Sequence, residues 1–155
     1  MNKILITLLA VFLIGCGSSS GHNSDYEPPK ETPPNEVSKN FKIWYNQADV
    51  PIADRLESYW EDVQACIGIA APITDYKVPV KYVPEEEMPL PIGSYTYASH
   101  TIHVDESLIN FENVVRHEMI HHLLHIIGHN HNDNHAHEPA WMFNHCIYSD
   151  WDNYL

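Results

Sequence analysis

The chain has 155 residues and a formal net charge of −13, with 21 acidic and 8 basic side chains. This length allows one folded domain at most, once segments that do not fold are set aside. The acidity makes nucleic acid and anionic membrane surfaces poor partners, so we expect no nucleic-acid binding.

The first 15 residues have the pattern of a secretion signal. Lys3 provides a positive start, and the almost unbroken apolar run of eleven residues from Ile4 to Ile14 is too short for a bilayer-spanning helix, which needs roughly 20. The run ends in "LIGC", which resembles the lipobox of bacterial lipoproteins. That resemblance implies cleavage before Cys16 and lipid attachment to Cys16. Because Gly17 replaces the aspartate that favours inner-membrane retention in enteric bacteria, we expect an anchor in the outer membrane, facing the periplasm or the cell surface.

Residues 16–40 are rich in serine and glycine and then in proline, and they contain few apolar side chains. Such a segment cannot form a core, so we interpret it as a tether that follows the lipidated cysteine. The folded domain is therefore predicted to span residues 41–155.

Cys66 and Cys146 remain as a pair if Cys16 carries lipid. In an oxidising compartment we expect a disulfide between them, which closes a loop of about 80 residues and contributes roughly 2–4 kcal/mol. The alternative is two buried thiols.

The first predicted element is a helix that opens near Asp49 and Pro51 and ends at Gly68. Residues 76–83 alternate as a half-buried strand, in which Pro79 favours an edge or a bulge. A loop covers 85–93. Residues 94–104 are strand-like, as one long bulged strand or as a hairpin that turns at Ser99–His100.

Asn110 is a candidate cap for a second long helix that ends at Gly128, and residues 129–137 form a loop. Pro139 suits the first turn of a short final helix that leads to Cys146. Helices and strands do not alternate in the way typical of a parallel sheet, so we predict an α+β fold with a short, mostly antiparallel sheet.

The segment Val114–His137 holds eight of the twelve histidines and includes His117-Glu118-Met119-Ile120-His121. Residues four apart on a helix lie one turn above each other, so both imidazoles can bind one zinc ion. Glu118 is rotated about 100° from His117 and can meet a water on the same metal. The pattern predicts two ligands, His117 and His121, with Glu118 as catalytic base.

This segment resembles the zincin metallopeptidases, in which a strand precedes the active-site helix and a third ligand lies downstream. It departs from the metzincin pattern, since Leu124 and Ile127 stand where glycine and histidine are required. Residues 137–146 resemble the tail of small bacterial zincin-like lipoproteins, in which a histidine just before such a segment is the third ligand. The resemblance implies His137 as third ligand, and the alternatives in descending order are His135, His131, His129 and Glu138.

The other histidines are interpreted as non-ligands. His125 lies about 12 Å along the helix from His117, too far to share one ion, and His122 is turned about 100° from His121. We expect both to be surface residues, and His100 and His103 to be ordinary strand histidines.

The resulting hypothesis is a lipid-anchored zinc peptidase that acts on a peptide or protein substrate in the cell envelope. Glu118 takes a proton from the attacking water and delivers it to the leaving amine. His145 or Tyr148 is a candidate oxyanion donor. The strand-like residues 95–104 present an edge on which an extended peptide adds.

Two alternatives stay open. The loop "HNHNDNHAH" resembles the histidine-rich loops of zinc-handling proteins, so the chain could be a non-catalytic zinc-binding or zinc-buffering lipoprotein. A weak extra site is then expected at His129, His131 and His135, and it is compatible with a catalytic ion as well. The other alternative is a structural lipoprotein in which a fourth protein ligand closes the zinc site.

Overall fold

The computed structural model describes residues 32–46, 51–129 and 140–148. The predicted signal, Cys16, most of the tether and the possible ligands His131, His135, His137 and Glu138 lie outside the described residues. Within the described ranges, no helix is both long and apolar enough to cross a membrane.

The described residues form an α+β fold, as predicted. Five strands and three helices occur in the order β1 (Glu36–Val37), β2 (Phe41–Trp44), α1 (Ala53–Ile67), β3 (Val78–Val83), β4 (Gly93–Thr96), β5 (Thr101–Asp105), α2 (Glu112–Ile126) and α3 (Ala140–His145). Strand β1 belongs to the segment predicted as tether, so regular structure starts before residue 41. Helix α1 ends where its sequence predicts, with Gly68 in the left-handed region at φ 74°.

The sheet is mixed, with strand order β1-β2-β3-β5-β4. The β2–β3 and β3–β5 pairs are parallel, and only the outer pairs, β1–β2 and β4–β5, are antiparallel. The prediction of a mostly antiparallel sheet is therefore wrong. The physical reason is that the short strand β2 precedes α1, so α1 becomes a crossover helix that returns the chain parallel to its start.

Pro79 does not lie on an edge strand, because β3 is the central strand of the five. Its missing N–H is tolerated for a local reason. The N–H of Val78 donates to Asn40 O of the segment before β2. Backbone groups of successive strand residues point to opposite sides, so the backbone nitrogen of Pro79 faces β5. Pairing with β5 begins only at Val80, opposite Ile102, and Pro79 therefore has no ladder partner to lose on that side.

Residues 94–104 form a hairpin, which was the second of the two predicted alternatives. Strands β4 and β5 pair antiparallel, with Thr96 opposite Thr101 at the turn. Asn110 is not the cap of α2: Phe111 holds that position without a side-chain hydrogen bond, and Asn110 Oδ1 instead accepts from Arg55.

Helix α2 is buried between the sheet, α1 and α3. Nine of its fifteen residues are buried, and they cover every face of the helix rather than one stripe. Arg116 is among them. It is 1% exposed, its Nη2 lies 2.6 Å from Asp62 Oδ2 on α1, and its guanidinium packs 4.7 Å from the ring centre of Tyr59. A charged contact thus joins the two long helices.

The disulfide between Cys66 and Cys146 is confirmed. It links the end of α1 to the residue that follows α3, and the two Cα atoms lie 5.6 Å apart. The short helix α3 is thereby fixed against the longer α1.

Glu36 of β1 caps the start of α1. Ile52 occupies the N-cap position, but its apolar side chain cannot accept a hydrogen bond from the backbone. Its carboxylate accepts hydrogen bonds from the backbone N–H groups of Ile52 and Ala53, at 2.9 and 3.0 Å, and from the Tyr45 hydroxyl at 2.8 Å. Burial raises the pKa of Glu36, whereas the three hydrogen bonds lower it. Together the hydrogen bonds outweigh burial, so the pKa of Glu36 lies below its ordinary value of 4.5.

Replacing Glu36 with alanine is expected to lower the free energy of unfolding by about 1–2 kcal/mol at pH 7, since two N–H groups of α1 lose their acceptor. Because the folded-state pKa is depressed, this contribution is complete above the ordinary pKa and is lost as the pH falls through the folded-state value. Urea unfolding at pH 7 and pH 3 measures both effects. An equal difference from wild type at the two pH values would contradict the capping role, and Glu86→Ala, at an exposed position, is the control.

Candidate metal centre

Helix α2 places His117 and His121 one turn apart, as the sequence predicts. Their Nε2 atoms point at each other across 3.2 Å. Two nitrogen atoms bound to one tetrahedral zinc ion at about 2.0–2.1 Å lie about 3.3 Å apart. The separation of the imidazole nitrogens therefore fits a shared zinc ion with little movement of either ring.

Phe143 of α3 packs against both imidazoles. Its ring centre lies 5.0 Å from that of His117 and 4.7 Å from that of His121. An apolar wall beside the two imidazoles restricts their rotation and limits the access of water to them. Phe143 lies three residues before Cys146, so the disulfide holds this wall in place.

Glu118 lies beside the two histidines and is 6% exposed. Within the described residues, its carboxyl makes no ion pair and no hydrogen bond. Burial raises the pKa of Glu118 to about 8. A bound divalent cation would favour the carboxylate and lower that pKa again. Glu118 is thus buried without a partner among the residues that the structure describes.

A cavity of about 150 Å³ opens in front of these three side chains. It is lined by His117, Glu118, His121, Gly93, Ser94, Tyr95 and Tyr97. Glycine at position 93 permits the close approach of Glu118 to β4, since a Cβ there would lie 2.9 Å from Glu118 Oε1 and 3.0 Å from Val114 Cγ1. The neighbouring Ile92 has φ 77°, a conformation that β-branched residues rarely adopt, and its carbonyl accepts from the Asp105 N–H.

The described residues contain no group of three or more His, Cys, Asp or Glu side chains arranged to hold a metal ion. His129, the one possible third ligand in the described ranges, does not complete such a group. His137, His135, His131 and Glu138 lie outside those ranges, so the identity of the third ligand stays a prediction.

His122 is not a surface residue, contrary to prediction. It is 4% exposed, and its ring packs 5.7 Å from Trp60 and 5.4 Å from Tyr95. Burial lowers the pKa of His122 to about 4, with smaller effects from His100 and His125. The residues that bury it come from α1 and β4, so spacing along α2 gives no sign of them.

Tyr95 connects His122 to His100. The Tyr95 hydroxyl lies 3.1 Å from Nδ1 of His122 and 3.0 Å from Nδ1 of His100. His100 lies in the hairpin turn at φ 53° rather than in a strand. His103 lies in β5, as expected, and burial, with a smaller effect from Lys81, lowers its pKa.

His145 and Tyr148, the predicted oxyanion donors, are not among the described residues that line the cavity. Tyr97 does line it and is a further phenol at the site. Sequence reasoning missed Gly93, Tyr97 and Phe143 as site residues. The one sequence signal for these residues was their position close to the predicted strand and to the helix that carries the histidine pair.

No family model matches the chain, and no curated protein or solved structure is detectably similar to it.

Proposed function

We propose that the protein is a zinc-dependent peptidase that is exported and held by a lipid anchor in the cell envelope. Its net charge of −13 does not favour nucleic-acid binding. The observation that carries the proposal is the 3.2 Å convergence of His117 and His121 beside a buried carboxylate that pairs with no described residue. Burial of an unpaired carboxylate costs free energy of desolvation, so we do not expect a helix with a purely structural role to carry one in a cavity.

His117 and His121, with a third ligand, would hold a zinc ion, which would supply Lewis acidity and lower the pKa of a bound water. Glu118 accepts the proton of the water that attacks the scissile carbonyl, and it then gives that proton to the leaving amine. Gly93 lets the Glu118 carboxylate reach the cavity, and Phe143 excludes water from the far side of the histidine rings. Tyr97 is a candidate donor to the developing oxyanion.

The substrate we propose is a peptide or protein segment in extended conformation. Strand β4 ends the sheet and pairs only with β5 among the described strands, so its outer edge is available to an added strand. Gly93 and Tyr95 of this strand also line the cavity. A peptide added along β4 would pass the reactive carboxylate.

We expect His117→Ala and His121→Ala each to abolish tight zinc binding, because one imidazole cannot replace the pair. Zinc content of the full-length chain after gel filtration, together with competition against a chromophoric chelator, measures the loss. His125→Ala, one turn further along α2, is the matched control and should retain one zinc per chain. His137→Ala tests the predicted third ligand in the same assay.

A zinc-buffering protein would behave differently. It would bind several ions weakly, and substitution of His129, His131 and His135 would remove most of them while His117→Ala would change little. That pattern would contradict a single catalytic centre at His117 and His121. One tight ion that depends on both residues supports the proposal.

A further inference from the structure

A second, larger cavity of about 530 Å³ lies between the C-terminal halves of α1 and α2 and the start of β3. Pockets for small molecules generally have volumes of about 300–1,000 Å³. Its walls include the apolar side chains of Trp60, Val78 and Ile126, and the rings of His100 and His122 also line it. No residue lines both this cavity and the one in front of Glu118.

The charged residues of this second cavity do not favour a charged ligand. Lys39 and Glu61 are the two that line it, they are opposite in sign, and both are exposed. Transfer of an ion from water to a site with largely apolar walls and no buried counter-charge is costly. The ligand is therefore expected to be uncharged.

The imidazoles of His100 and His122 provide polar groups for a ligand, and most other polar side chains of the lining already have hydrogen-bond partners. Asn40 donates to Glu57, and Thr74 donates to Tyr76 O. Gln64 already donates to Trp60 O and accepts from the Ala71 N–H, and the Tyr76 hydroxyl donates to Ser99 O. By contrast, His100 and His122 bond through Nδ1 to the Tyr95 hydroxyl, and within the described residues no hydrogen bond is made by Nε2 of either ring.

The shared hydroxyl of Tyr95 makes the two rings complementary. It has one proton, so it donates to one Nδ1 and must accept from an N–H at the other. In neutral imidazoles, the ring that accepts at Nδ1 carries its proton on Nε2, and the ring that donates at Nδ1 has an Nε2 lone pair. The pair therefore presents one donor and one acceptor, with ring centres 6.0 Å apart.

We propose that this second cavity binds a small uncharged molecule with an apolar ring system and a carboxamide end. The carboxamide oxygen accepts from one imidazole and its N–H donates to the other, while the ring system packs among Trp60, Val78 and Ile126. A carboxylate would face a lone pair on one side, and a cation would face an N–H on the other. This site is separate from the proposed catalytic function, and binding alone tests it.

Three isosteric probes test the charge and hydrogen-bonding argument: 2-naphthamide, its anionic counterpart 2-naphthoate and its cationic counterpart 2-naphthamidine. Titration of the full-length chain at pH 7.5, followed by tryptophan fluorescence and calorimetry, is expected to show one site that prefers the amide at least about tenfold over both ions. Equal affinity for all three, or no measurable binding of the amide, would overturn the proposal.

Two variants locate the site. Ile126→Trp fills the cavity and is expected to abolish amide binding, whereas Ile127→Trp, at a neighbouring exposed position outside the lining, should leave it unchanged. His100→Asn suits the positive φ at that position and removes one imidazole, so it should weaken amide binding at least about tenfold even if Ile126→Trp fails to fold. Full affinity in His100→Asn, or in a folded Ile126→Trp, would place the ligand elsewhere and refute the assignment.

Discussion

Replacing Glu118 with glutamine is expected to lower peptide hydrolysis by about 10²–10⁴-fold, the usual contribution of a positioned general acid–base group, while zinc binding is retained. Glutamine keeps the shape that packs against Gly93 but cannot accept the proton of the attacking water. Turnover of a quenched fluorescent peptide library and zinc content, measured on the same preparations, separate the two effects.

The folded state should tolerate this change. Burial of an ionisable carboxyl without a described partner costs free energy, so Glu118→Gln is expected to leave the melting temperature unchanged or to raise it. Glu86→Gln, the same substitution at an exposed position, is the control for activity. An undiminished hydrolysis rate in Glu118→Gln would show that this carboxylate is not the base.

Removal of the disulfide in the double variant Cys66→Ala and Cys146→Ala is expected to lower the free energy of unfolding by about 2–5 kcal/mol. For a domain of this size, that corresponds to a fall in melting temperature of about 10 °C or more. Zinc affinity should fall as well, because α3 then holds Phe143 less firmly against His117 and His121. Calorimetric melting and chelator competition measure the two quantities.

Chemical reduction provides the matched control. Dithiothreitol should shift the melting temperature of the metal-free wild type towards that of the double variant, and it should have no effect on the double variant itself. If the double variant melts like wild type and binds zinc equally well, the disulfide does not position the wall beside the histidines.

The features that local spacing determines were predictable. The histidine pair follows from the pitch of a helix, and the end of α1 follows from Gly68. The pairing of Cys66 with Cys146 follows from counting the cysteines that remain when Cys16 is expected to carry lipid. Each depends on residues whose relation is fixed by the backbone or by covalent chemistry. The third ligand and the substrate are not determined in this way, and both stay proposals.

The features that depend on distant neighbours were not predictable. Strand β2 has four residues, too few for a periodic signal, and missing it hides the crossover through α1 and hence the parallel pairs. His122 looks like a polar residue on a helix, but Trp60 and Tyr95 enclose it from two other elements. Asn110 has the chemistry of a helix cap, yet Arg55 takes its side-chain oxygen.

The burial of α2 on every face has a consequence for dynamics. Amide hydrogens at the centre of such a helix exchange with solvent only when the surrounding layers separate, so His117 to Leu124 should belong to the slowest-exchanging segment of the chain. The backbone that carries His117, Glu118 and His121 would then keep its conformation unless the surrounding layers separate, whether or not an ion is bound.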